Sequence, residues 1–181
     1  RRFQEPLSAV MELLEGAVLR PFPSWASRQE EFLGRFREET RCGIEGNDLL
    51  DTSLDYSAFC LLSSAGMDGV GNVSSKGLSG ESYEGHYFWD TEIYVFPFFL
   101  LPRPPAARKH LESRALMLDE ARLHAREMGH PHGALYAWRT IAGAECSSYF
   151  PSGSAQYHLN GAIAHAFLDY WDATGDLAFM E

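Results

Sequence analysis

The stretch Phe88-Trp-Asp-Thr-Glu-Ile-Tyr-Val-Phe-Pro-Phe-Phe-Leu-Leu101 decides how this chain folds. From Phe88 to Leu100 it is apolar nearly all round, which predicts a helix buried on every side. Its longest apolar run, Ile93 to Leu101, falls well short of the roughly 20 residues a membrane helix needs, and it contains Pro97. A buried helix requires others to surround it. Apolar spacing supplies five more.

Working back toward the N-terminus, a helix is predicted over about Asn47 to Ala65, with Asn47 as N-cap and Leu50, Leu54, Ala58 and Leu61 in register. Before it, a charged segment from about Ser27 to Thr40 has only Phe32, Leu33 and Phe36 as an apolar stripe. The first segment, about Leu7 to Leu19, aligns Leu7, Val10, Met11, Leu14 and Val18, and Pro21 and Pro23 end it. Toward the C-terminus, a helix follows Pro104 and Pro105 and runs to about Met128. The last covers about Ala155 to Thr174 and closes at Gly175, a good residue just past a helix end. No strand pattern competes. The predicted class is all-α.

The connections carry further information. About twenty residues rich in glycine separate the third and fourth helices, and a second long connection, roughly Gly129 to Ser154, separates the fifth and sixth. Only a few residues around Pro102 lie between the fourth and fifth. Long loops without secondary structure in a compact domain are usually functional. If successive helices run antiparallel, both long loops emerge at one end, as in barrels of paired helices.

Those loops hold the candidate chemistry. The first runs from Lys76 to Glu92 and interleaves Glu81, Glu84, His86, Asp90 and Glu92 with Tyr83, Tyr87, Phe88 and Trp89. The second carries Tyr136, Trp138, Arg139, Glu145 and Tyr149, followed by Gln156, Tyr157 and His158. Aromatic faces beside carboxylates suit a neutral sugar: ring C–H faces stack on aromatic rings, and hydroxyls donate to fixed carboxylate oxygens. Structural readings stand beside the functional ones. Phe88 and Trp89 can serve as core, Asp90 as a carboxylate favoured at a helix N-terminus, and His86 as a hydrogen-bonded structural histidine. His158 and His165 read as packing residues. His130 and His132 make a weak metal pair.

Composition removes whole classes of function. Fifteen Lys and Arg against 25 Asp and Glu give a net charge of −10, with no basic footprint for nucleic acid. Between Asn47 and Arg103 there are eight acidic residues and two basic ones, a surface that repels phosphate. The glycine-rich loop lacks the Gly-Lys-Ser/Thr ending of a P-loop, and no Gly-x-Ser-x-Gly elbow occurs. The three cysteines, Cys42, Cys60 and Cys146, form no zinc or CxxC pattern; they read as reduced thiols and suggest a cytoplasmic protein. No signal-peptide pattern opens the chain.

The loop from Lys76 onward resembles glycoside hydrolase family 65, the inverting phosphorylases of maltose, trehalose, kojibiose and related α-glucosides. The matching residues are Gly77-Leu78, Gly80-Glu81, Tyr83, Gly85-His86 and Phe88-Trp89-Asp90-Thr91-Glu92, then Pro97-Phe98-Phe99. Similar blocks follow at Gly133 to Ile141, Gly143 to Ser147 and Tyr149 to His158, and the resemblance extends over roughly Glu30 to Glu181. Ala137, Ala144 and Ala162 depart from the family pattern, replacing a usual Pro, Glu and Asp.

The resemblance implies that residues 1–46 form a helical linker and 47–181 the N-terminal portion of an (α/α)6 barrel. It implies reversible phosphorolysis of an α-glucoside with inorganic phosphate as co-substrate and no metal or organic cofactor. Trp89 and Asp90 would hold the glucose unit, with Glu81, Trp138 and Arg139 as further candidates for substrate contact or loop support. The catalytic acid would lie in a downstream segment, so no catalytic residue is expected here and the isolated chain should be inactive. A partial barrel also exposes apolar faces, which favours a homo-oligomer. A non-catalytic sugar-binding module and a hydrolase on the same fold are the competing readings.

Overall fold

The computed structural model describes residues 6–181; their regular elements are helices, with one isolated β-bridge and no strand among the described residues. The class is all-α, as the periodicity predicts. The chain divides into two compact units, residues up to Arg41 and Cys42–Glu181.

In the first unit, α1 spans Pro6–Val18 and α2 spans Phe22–Thr40. The second helix starts five residues earlier than the sequence suggests, because Pro23 occupies its first turn, where a missing N–H costs nothing. Pro23 opens a helix as well as following one. Trp25 Nε1 donates to the Ala17 carbonyl at 3.2 Å, and the Arg20 guanidinium lies 4.6 Å over the Trp25 ring.

The second unit begins with α3, Asp48–Ser64, where Asn47 is the expected cap: its side-chain oxygen accepts from the Leu50 N–H at 3.1 Å. After the first long loop, a π-helical turn, Thr91–Val95, leads into α4, Phe96–Leu100. The Phe96 N–H reaches back to the Thr91 carbonyl, and Pro97 brings no N–H of its own. The predicted all-round burial is therefore corrected. Phe96, Phe99 and Leu100 are buried, but Tyr94 and Leu101 lie 66% and 81% exposed and leave one stripe open.

The predicted single helix after Pro104 is two: α5, Pro104–Leu116, and α6, Leu118–Glu127. At the break, Met117 (φ −88°, ψ 0°) turns its N–H to the Arg114 carbonyl at 3.0 Å, an i−3 contact. No proline or glycine marks this point. The last long helix, α7, spans His158–Thr174 rather than starting at Ala155, since Pro151 to Ala155 form turns closed by an Ala155 N–H to Pro151 carbonyl bond. Gly175 ends it in the left-handed conformation at φ +63°, as expected, and a short α8, Leu177–Met180, follows under the Asp176 cap.

The core of this unit sits where α4, α5 and α7 pack together. Phe96, Phe99, Ala107, Leu111 and Leu159 are each no more than 1% exposed there. At the other side, α3 buries only Leu62 and leaves Leu50, Leu54 and Phe59 exposed.

Candidate functional site

The two long loops meet. Tyr87 and Thr140 pair as an antiparallel bridge, and next to it Phe88 and Trp138 pack edge to face with ring centroids 5.2 Å apart. The loops come together because Phe88 is apolar and buried, and Trp138 and Tyr83 close on it from two sides.

Phe88 to Glu92 is the most firmly held part of the site. Arg114, fully buried on α5, donates from Nε to Glu92 Oε1 at 2.7 Å and from Nη2 to Glu92 Oε2 at 2.9 Å. The same Nη2 donates to the Phe88 carbonyl at 2.9 Å. Thr91 Oγ1 adds a bond to the Val73 carbonyl at 3.2 Å. Trp89 and Asp90 lie between these anchors and remain half-exposed. Trp89 packs against the His158 ring at 5.0 Å and Tyr94 at 6.1 Å.

A cleft of about 240 Å³ opens at this segment, lined by Ser75, Lys76, Tyr83, Phe88, Trp89, Asp90 and Trp138. It joins aromatic walls to a carboxylate. Asp90, Ser75 and Lys76 also border a second cleft of about 420 Å³ beside α3, with Tyr56, Leu61, Val73 and Val95 on its walls. Of the predicted site residues, Trp89, Asp90 and Trp138 are thus brought into one cleft. Glu81 is exposed on a neighbouring cleft that also includes Glu84 and Tyr87.

Arg139 supports the loops. Its Nη2 donates to Glu84 Oε2 at 2.7 Å, and its backbone N–H donates to Glu145 Oε2 at 3.3 Å. Glu145 also accepts from the Ser147 N–H at 2.6 Å, tightening the second loop. The turn that presents Tyr83 is unusual: Tyr83 and Glu84 adopt φ of +62° and +53°, a region non-glycine residues seldom visit, and Gly85 continues it at +74°. His86 Nδ1 lies 2.7 Å from the Tyr83 carbonyl and donates to it, the structural role open to it from the sequence.

Other expectations resolve locally. His158 packs on Trp89, whereas His165 is exposed and lies 2.9 Å from Asp169 Oδ2, so the two do not share a packing role. His130 Nε2 contacts the Tyr157 hydroxyl at 2.9 Å. Cys42, Cys60 and Cys146 are free thiols. No helix of the described residues is long and apolar enough to cross a membrane.

Sequence reasoning overlooked two contributors. Arg114 sits 22 residues from Glu92, and no local pattern announces their pairing; its one sign is an arginine placed between Ser113 and Ala115 on α5. Lys76 reads as a loop residue, yet it borders both clefts with Nζ 5.9 Å over the Tyr83 ring.

Comparison with known proteins gives a consistent result. Residues 55–181 match the model of the glycosyl hydrolase family 65 central catalytic domain. The chain is 45% identical to the alpha,alpha-trehalose phosphorylase of Geobacillus stearothermophilus over 181 residues, covering all of this chain and 24% of that protein. It is 33% identical to the kojibiose phosphorylase of Halothermothrix orenii, over 93% of this chain and 24% of that one. A solved structure, a putative kojibiose phosphorylase from the human microbiome, superposes with a TM-score of 0.89 at 27% identity, over 98% of this chain and 24% of that one. The chain therefore spans about a quarter of the length of these relatives.

Proposed function

The chain belongs to glycosyl hydrolase family 65, and from this we propose that it forms the sugar-facing portion of a cytoplasmic α-glucoside phosphorylase. On this reading residues 1–46 are a linker, its helices beginning at Pro6 with residues 1–5 outside the described residues, and 47–181 contribute the first helices of an (α/α)6 barrel. The observation that carries it is the cleft joining Trp89, Trp138 and Asp90. At about 240 Å³ it lies below the range of about 300–1,000 Å³ typical of drug-sized ligands, and a single sugar ring suits it.

Trp89 walls one side of the glucose unit, and Asp90 accepts from its hydroxyls. Trp138 forms the facing aromatic edge. Glu81 and Arg139 act from the rim, Arg139 chiefly by holding Glu84 in the first loop. Phosphate attacks the anomeric carbon from the face opposite the departing sugar; the new C–O bond forms as the glycosidic bond breaks. A glutamic acid supplied elsewhere in the enzyme protonates the leaving oxygen, and the product is β-glucose 1-phosphate. An inverting hydrolase needs a second carboxylate to activate water. Phosphate is already a competent nucleophile, so one acid is enough, and neither metal nor organic cofactor takes part.

The acidic character of this region agrees with that division of labour. Glu81, Glu84 and Asp90 favour a neutral sugar and would repel phosphate, which is seated by residues outside this segment. The test is to incubate the full-length protein that carries this segment with trehalose or kojibiose, with and without inorganic phosphate. Phosphate-dependent formation of β-glucose 1-phosphate supports the reading. Release of two free sugars without phosphate would make the protein a hydrolase, and no turnover or binding of either sugar would remove the assignment.

A further inference from the structure

We infer that Arg114 is a positioning residue for the sugar cleft, acting through the Phe88 carbonyl to fix the aim of Trp89 and Asp90. This rests on the sugar-binding reading of that cleft. Arg114 does not itself line the cleft, and of the lining residues it bonds Phe88, through the backbone carbonyl. Its guanidinium nevertheless spans both ends of the segment that carries Trp89 and Asp90: the Phe88 carbonyl before them at 2.9 Å and the Glu92 carboxylate after them at 2.7 and 2.9 Å.

The geometry goes beyond what stability requires. A buried ion pair gives little net stabilisation once desolvation is counted, and apolar residues of similar size often replace it without loss. The Arg114–Glu92 pair is 1% and 2% exposed, so it bears the full desolvation cost. What apolar replacements cannot supply is the third bond, to the Phe88 carbonyl. That bond holds the peptide leading into Trp89 at the point where the chain enters the π-helical turn at Thr91. A planar guanidinium with its fixed fork of donors meets a carboxylate and a carbonyl at once; a lysine ammonium lacks that fork.

The test uses the full-length protein and two variants. The double variant Glu92→Met/Arg114→Met removes both buried charges together, so neither is left without its counter-charge while the Phe88 carbonyl loses its donor. Arg114→Lys keeps the charge opposite Glu92 and serves as the second arm should the double variant fail to fold. In whichever variant folds, the KM for the α-glucoside should rise at least about fivefold, while the KM for phosphate stays within twofold. A merely structural role would lower the active fraction, and hence the apparent kcat, without moving the sugar KM. A sugar KM within twofold of wild type in the folded variant would overturn the inference. Asp90→Asn, measured alongside, separates the two levels. If it abolishes turnover while the Arg114 variants keep their sugar KM, the positioning role alone fails; if it too is without effect, the sugar site itself is misplaced.

Discussion

Tyr87 and Thr140 hold each other through both backbone directions: the Tyr87 N–H donates to the Thr140 carbonyl at 2.7 Å, and the Thr140 N–H returns to the Tyr87 carbonyl at 3.2 Å. Through this pair two loops more than fifty residues apart in sequence become one surface, with Phe88 and Trp138 in contact immediately beyond it. The antiparallel alternation of helices predicts that these loops share an end, and their pairing is the direct form of that expectation.

Thr140 also has a side-chain duty. Its Oγ1 accepts from the buried Gly143 N–H at 2.7 Å. Thr140→Val keeps the shape and leaves that N–H without an acceptor, which should cost about 1–3 kcal/mol in urea unfolding of the full-length protein. Thr140→Ser should recover most of the loss. Equal stability of the valine and serine variants would show that the bond contributes nothing.

His110 should make the fold acid-sensitive. It is 1% exposed beside Phe99, and neither ring nitrogen has a hydrogen-bond partner among the described residues. Burial lowers its pKa from 6.5 to about 4, because the charged form is excluded from an apolar site. Since the unfolded chain takes up the proton first, stability is intact above pH 6.5 and falls as pH drops from there toward 4, by up to roughly 3 kcal/mol. Thermal unfolding of His110→Leu across this window should show a flatter pH dependence than wild type. An unchanged slope would assign the acid sensitivity to other groups.

Two ion pairs near the site should differ sharply in their effect on stability. Glu84 is 76% exposed where it meets Arg139, so its carboxylate stays largely hydrated, and Glu84→Gln should change stability by under about 1 kcal/mol. Glu92→Ala leaves Arg114 charged and buried without a counter-charge, and should cost roughly 3–5 kcal/mol. Denaturant midpoints of the two variants measure the difference directly.

How much of this was legible in the sequence depends on how local each signal is. The Asn47 cap and the Gly175 stop lie beside the helix ends they control, and both stand where the sequence puts them. The break at Met117 has no breaking residue; it comes from a backbone bond shifted to Arg114, which periodicity cannot register. The exposed stripe through Tyr94 and Leu101 was hidden for another reason: an apolar residue reads as buried whether or not a neighbour is there to cover it. At the site, Trp89 and Asp90 are adjacent in sequence, and the sequence points to both at once. Their support by Arg114 runs through Glu92, 22 residues away, and Phe88, 26 residues away, and only the fold brings these together.

The isolated 181-residue chain should self-associate. Leu50, Leu54 and Phe59 lie exposed along α3, and large apolar patches drive association. Light scattering at increasing concentration should show dimers or larger species. A monomer that persists at high concentration would contradict this expectation.

The central claim, that Asp90 and Trp89 hold the sugar that is cleaved, is tested most directly by Asp90→Asn in the full-length protein. The variant should unfold at nearly the wild-type temperature, since Asp90 is half-exposed at the start of its helix. Its phosphate-dependent release of β-glucose 1-phosphate from an α-glucoside should fall by about 10²–10⁴, the usual loss for one well-placed electrostatic or proton-transfer contact. A folded Asp90→Asn enzyme that forms β-glucose 1-phosphate at the wild-type rate would contradict the account.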